Sequence, residues 1–132
     1  MLDSTAAIKA LDRKDMLGAI SQLPKHLTEG LRRGRAAGPP RFIPRTVFIC
    51  GLGGSSIGGD LLCEWLSETT EIACSVVRSY SLPPHAGKDS LVIVASYSGN
   101  TEETLSMYED ARSNGAKIVA ASSGGLLAQM SE

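Results

Sequence analysis

The sequence predicts an α/β protein: a parallel, doubly wound sheet preceded by helices. Three observations lead there. Short apolar runs rich in β-branched residues recur at 46–50, 72–77, 91–95 and 117–121. Stretches of helical spacing separate them, and strands that alternate with helices pair in parallel. Two of the runs end in a loop of glycines or hydroxyls that leads into a helix. Right-handed crossovers bring both loops to the carboxyl ends of their strands, on one edge of the sheet.

Residues 1 to about 35 are helical in pattern. Ile8 and Leu11 form a short apolar pair, and Asp12 or Asp15 is placed to cap a second helix. Met16, Ile20, Leu23, Leu27 and Leu31 then follow the three-and-four spacing of an amphipathic face, suited to core packing or a subunit contact. Pro24 should kink or split that helix. Arg32, Arg33 and Arg35 read as a solvated helix end beside a favourable dipole. Residues 34–44 (GRAAGPPRFIP) are a Gly/Pro-rich connector. The domain boundary is set there: 1–44 helical segment and connector, 45–132 α/β domain.

The first strand, 46–50, runs into Gly51-Leu52-Gly53-Gly54-Ser55-Ser56-Ile57-Gly58-Gly59-Asp60, with Leu61, Leu62, Trp65 and Leu66 continuing at helical spacing. The second strand is followed by a loop, 78–88, containing Pro83-Pro84. The third, 91–95, has the apolar run of a strand buried on both faces. Its helix spans 101–114, with Asn100 and Thr101 as cap residues, Glu102 and Glu103 at the positive end of the dipole, and Gly115 as the stop. The fourth strand leads through Ser122-Ser123-Gly124-Gly125 to a last helix beginning at Leu126.

A length of 132 residues suits one domain with a real core, and 42% hydrophobic with 20% charged residues is a globular balance. A net charge of −1, with no basic patch interleaved with aromatics, argues against nucleic-acid binding. No apolar run is long enough for a membrane span and no signal-peptide core is present, so a cytoplasmic protein without membrane contact is expected. Cys50, Cys63 and Cys74 form no CxxC pair and are expected as buried, reduced thiols. His26 and His85 are isolated, and no metal site is expected.

The loop Ser96-Tyr97-Ser98-Gly99-Asn100-Thr101 joins a strand to a helix N-terminus with three hydroxyls and no bulk over its amides. Unpaired N–H groups and the helix dipole then face one point, which makes an anion site. Residues 91–105 contain no Lys or Arg, so the expected ligand is a phosphate held by neutral donors. One such loop is also what an ordinary capped helix presents; the second loop, at 51–60, shifts the reading toward a ligand. That second loop is not a Walker A motif, because Gly58 is followed by Gly59-Asp60. It half-matches the dinucleotide fingerprint, but Ser56 replaces the third glycine and Arg78 stands where an acid is expected. No nicotinamide or other cofactor is expected.

Together, Gly51 to Asp60 and Ser96 to Thr104 resemble the sugar isomerase (SIS) domain, and within it the N-terminal domain of bifunctional phosphoglucose/phosphomannose isomerases. Val77-Arg78-Ser79-Tyr80 and 124–130 (GGLLAQM) extend the similarity over nearly the whole chain. The resemblance implies a flavodoxin-like fold and a hexose 6-phosphate ligand. It places Gly53, Gly54 and Ser55 along the sugar-phosphate pocket and Ser96, Ser98 and Thr101 on the phosphate. Tyr97 is then expected to turn away as packing. In that family the catalytic glutamate, histidine and lysine come from a second SIS domain or the partner subunit, and a phosphate-contacting arginine lies beyond Glu132. This chain therefore contains no catalytic residue on this reading, and ends before a fifth strand that would cover the fourth. Glu102 and Glu103 read as helix-capping acids, and Asp60 and Glu64 as a solvated face.

The function implied is aldose–ketose isomerisation of glucose 6-phosphate or mannose 6-phosphate to fructose 6-phosphate, in a homodimer. The alternatives are a non-catalytic sugar-phosphate-sensing module, which an attached DNA-binding region would support, and a structural dimerisation domain, against which the intact Ser/Thr loop speaks.

Overall fold

The computed structural model describes residues 4–38 and 42–131, which fall into two compact units divided between them. The first unit holds three helices, α1 (Thr5–Leu11), α2 (Met16–Ser21) and α3 (Leu23–Ala37). Ser4 caps α1, its hydroxyl accepting from the Ala7 amide at 3.3 Å. Of the two aspartates placed to cap α2, Asp12 does so: its carboxylate accepts from the Met16 and Leu17 amides at 2.7 and 2.8 Å. Asp15 occupies the cap position in left-handed backbone, without a side-chain cap bond. The helical run splits at Gln22, which leaves Pro24 in the first turn of α3, where its missing N–H costs nothing.

Two expectations change in this unit. Helix α3 continues through Ala37, because Arg35, Ala36 and Ala37 are strong helix formers and outweigh Gly34. The connector therefore begins only at Gly38, and 39–41 lie outside the described residues. The apolar face is not core: Met16, Ile20, Leu23, Leu27 and Leu31 are all exposed. Arg32 and Arg33 are solvated as expected, and both also pair with Glu29, at 2.8 and 2.7 Å.

The second unit alternates strand and helix: β1 (Thr46–Cys50), α4 (Gly54–Thr69), β2 (Ala73–Val77), β3 (Ser90–Ser96), α5 (Glu102–Ser113), β4 (Lys117–Ser122) and α6 (Gly125–Met130). The four strands form one parallel sheet in the order β2-β1-β3-β4. The chain moves outward from β1 to β2 on one side and from β3 to β4 on the other, so the order reverses between β1 and β3. The crevice at the carboxyl ends of these two central strands is where doubly wound sheets bind ligands.

The reversal puts helices on opposite faces. Phe48, Cys50, Val92 and Val94 pack with Met107, Tyr108 and Ala111 of α5 and Leu127 of α6 in the main core. On the other face α4 lies against Ile49 and Val76, and Gly59 permits the approach: a Cβ there would stand 2.7 Å from the Ile49 Cγ2. That face is only partly covered over β3, where Leu91, Ile93 and Ala95 are half-buried between the fully buried Ser90, Val92, Val94 and Ser96. The expected two-sided burial of β3 thus holds for one face, because α4 sits chiefly over β1 and β2.

The loop after β2 closes onto the core through Leu82 and Ala86. Asp110 of α5 accepts from the Leu82 amide at 3.0 Å, and the His85 ring lies 5.3 Å from that of Phe48. The cysteine expectation needs correction. Cys50 is a buried free thiol, but Cys63 of α4 and Cys74 of β2 form a disulfide, with Cα atoms 5.0 Å apart. One turn of α4 sets Cys63 beside the neighbouring strand at the height of Cys74, which spacing along the sequence does not reveal.

Candidate functional site

Both predicted loops sit at the switch point. Gly53, Gly54 and Ser55 form the turn from β1 into α4, and Ser96, Ser98 and Thr101 span the turn from β3 into α5. Because β1 and β3 pair in register with Cys50 opposite Val94, the two turns leave the sheet side by side. Ser55 and Ser96 line one cavity of about 380 Å³, together with Ala95, Tyr97, Ala121, Ser122 and Ser123. Gly53, Gly54, Ser98 and Thr101 lie outside its lining.

The hydroxyls of the second loop are in different states. Ser96 is buried, and its oxygen accepts from the Gly99 amide at 3.2 Å and meets the Thr101 hydroxyl at 3.0 Å. Ser98 is exposed and accepts only from the Asn100 amide, at 3.3 Å. Ser55 is half-buried and has no side-chain partner among the described residues. Thr101 occupies the N-cap position of α5 but makes no cap bond, its hydroxyl being turned to Ser96. The first amides of α5 therefore keep the unpaired donors and positive end that suit an anion. At α4 the Ser55 and Ser56 amides are already engaged by the carbonyls of Leu52 and Gly53.

The neighbouring charges are mostly spoken for. Arg78, at the end of β2, donates to the Ser56 hydroxyl at 3.0 Å and pairs with Asp60 at 2.5 Å, so Asp60 is an ion-pair partner as well as a surface residue. Ser56 in turn donates to the Gly53 carbonyl at 2.8 Å, which ties the first turn of α4 to the end of β2. Glu103, with Glu102 adding to it, holds the Tyr80 phenol above its ordinary range. Burial pushes the Cys50 thiol beneath the site up to about 12, and it stays protonated. Among the described residues no group of histidines, cysteines or acids could hold a metal ion.

Tyr97 does not pack away from the loops. It is 83% exposed and forms part of the cavity wall, because the strand has already ended at Ser96 and alternation no longer applies. Ser122 and Ser123 are cavity residues that motif reasoning passed over as plain loop. The available signal was positional: they follow β4 as Ser96 follows β3.

Residues 44–126 match the model of the SIS domain. The chain is similar to proteins called bifunctional phosphoglucose/phosphomannose isomerase in several organisms. It is 51% identical to that of Caldicellulosiruptor bescii over 86 residues, 65% of this chain and 25% of the relative. For Aquifex aeolicus the figures are 44% over 82 residues, 61% and 26%. For Thermoplasma acidophilum they are 42% over 84 residues, 64% and 26%. The chain thus spans about a quarter of the length of these curated relatives.

Proposed function

Given that this chain belongs to the SIS domain family, we propose that residues 45–132 are the sugar-phosphate-binding domain of a hexose 6-phosphate isomerase. One observation carries the reading: two hydroxyl-bearing helix N-termini leave the sheet side by side at its switch point, and neither turn, 51–60 or 96–101, contains a Lys or Arg. Neutral donors there stabilise a phosphate through several charge-assisted hydrogen bonds and a helix dipole. In this reading Ser96, Ser98 and Thr101 hold the phosphate, and Gly53, Gly54 and Ser55 face the sugar. The names of the relatives support phosphoglucose and phosphomannose as substrates, and glucose 6-phosphate, mannose 6-phosphate and fructose 6-phosphate are the hexose phosphates proposed here.

The reaction moves a proton between C1 and C2 through an enediol and needs a base, a ring-opening group and an anchored phosphate. This chain supplies the anchor. Glu102 and Glu103 both sit in the first turn of the helix that receives the anion, so neither is assigned as base. A cytoplasmic homodimer completes the proposal. No helix among the described residues is long and apolar enough to cross a membrane. The exposed apolar side chains of α3 supply surface for association.

Calorimetric titration of the 132-residue chain tests the reading. Glucose 6-phosphate and fructose 6-phosphate should bind, and unphosphorylated glucose should not. Equal binding of glucose with and without its phosphate, or saturable micromolar binding of NAD or NADP, refutes it.

A further inference from the structure

The 96–101 loop is held from outside as well as by its own internal bonds. The geometry points to Ser123 and Asn100 as positioning residues that brace the 96–101 loop against the β4–α6 turn and so aim its backbone donors; this rests on the phosphate reading above.

Three contacts make the brace. Ser123 approaches the Tyr97 carbonyl twice, through its amide at 3.2 Å and its hydroxyl at 2.5 Å. The Leu127 amide donates to the Gly99 carbonyl at 2.9 Å. The Asn100 side-chain oxygen accepts from the Leu126 amide at 3.0 Å. The turn supplying these donors is stiff, since the Ser122 hydroxyl bonds the Gly124 carbonyl at 2.6 Å and receives its amide at 3.1 Å. It is also anchored, because Leu127 is fully buried in the core.

The two segments touch so closely that side chains are excluded between them. A Cβ on Gly99 would strike the Gly124 carbonyl, and one on Gly125 would strike the Ser98 carbonyl. Both glycines have φ near +70° as well, at 69° and 74°, which L side chains rarely adopt.

Peptide geometry sets the consequence. In a planar trans peptide the N–H points opposite to the C=O. Drawing the Tyr97 and Gly99 carbonyls toward the β4–α6 turn therefore turns the Ser98 and Asn100 amides the other way. The Ser98 amide has no acceptor among the described residues, and it is left as a donor oriented by a contact on the far side of the peptide. Ser123 and Asn100 touch the anion in no step of this scheme; they act through the loop.

The test uses the full 132-residue chain with Ser123→Ala, Asn100→Ala and Ser123→Thr, titrated with inorganic phosphate and glucose 6-phosphate. Affinity is read by calorimetry and the Ser98 and Asn100 amides by nitrogen–proton correlation spectra. Both positions are exposed, so truncation there leaves no buried cavity. Each alanine variant should weaken both ligands about three- to tenfold, the scale of one neutral hydrogen bond, and reduce the ligand-induced shift of the Ser98 amide. Thermal midpoints without ligand should stay within a few degrees. Ser123→Thr, which keeps the hydroxyl, should restore affinity and shift together. Wild-type affinity and shifts in both alanine variants overturn this inference alone, and so does a threonine that fails to rescue. A wild-type chain that binds neither ligand overturns the phosphate reading and this inference with it.

Discussion

Ser98→Ala should separate ligand binding from folding, and Ser96→Ala should not. The two hydroxyls lie two residues apart but differ in what they already hold. Ser98 is exposed, and its one internal bond is a long 3.3 Å contact from the Asn100 amide. Removing it changes stability by no more than about 0.5 kcal/mol, the usual range for a surface substitution. A hydroxyl donating to phosphate is worth roughly 1.5–3 kcal/mol, so affinity should fall about ten- to a hundredfold. Ser96 is 3% exposed and joins the Gly99 amide to the Thr101 hydroxyl. The Gly99 amide keeps the Ser96 carbonyl at 3.1 Å when the hydroxyl is lost, but Thr101 loses its partner. That loss destabilises by about 1 kcal/mol, or roughly 4–8 °C in a unit this small, on top of the weakened binding. Thermal unfolding and calorimetry with glucose 6-phosphate on the same samples separate the two effects. Unchanged affinity in Ser98→Ala, or a melting loss equal to that of Ser96→Ala, refutes the reasoning.

Gly59→Ala should destabilise by about 1–3 kcal/mol in urea titrations, since its Cβ stands 2.7 Å from Ile49 and 3.2 Å from Val76 in a packed interface. Reducing Cys63–Cys74 should lower the thermal midpoint, the closed loop being worth roughly 3 kcal/mol by chain entropy, while Cys50 stays unreactive to a thiol reagent at pH 8 until the chain unfolds. The Glu29 carboxylate, held near 2 by Arg32 and Arg33, is lowered from 4.5. Its contribution to α3 is therefore present above pH 4.5 and lost as pH falls toward 2, which circular dichroism of a Glu29→Gln comparison should show as a missing acid step. Isomerase assays on the 132-residue chain should give no turnover, because an anchored phosphate accelerates nothing without a base placed against C1 and C2; turnover that Glu103→Gln abolishes would overturn the assignment of roles.

The strands were readable because a parallel sheet leaves a local trace. Residues 46–50 and 91–95 are apolar and β-branched whatever their neighbours do, and their loops differ in composition from both flanks. The disulfide was not readable. Cys63 and Cys74 stand 11 residues apart with a helix end and a loop between them, and only the packing of α4 on β2 brings them together. The exposure of Leu23, Leu27 and Leu31 was hidden for the opposite reason: helical periodicity reports that a face is apolar, not that anything covers it.

The cap residues show where local rules stop. Ser, Thr and Asn before a helix predict a side chain turned back to its own first turn, because that turn leaves amides unpaired. At α5 neither residue obeys. Thr101 turns to Ser96, and Asn100 reaches across to cap α6 through the Leu126 amide. Both would serve their own helix if helix stability alone were at issue, so the capping energy of α5 is left unused. What the arrangement leaves is a helix end with open donors, its preceding loop held by the β4–α6 turn. An unfilled cap beside two good capping residues is what the anion reading expects and an ordinary strand-to-helix turn does not, and the Asn100 half of it depends on the β4–α6 turn that supplies the Leu126 amide.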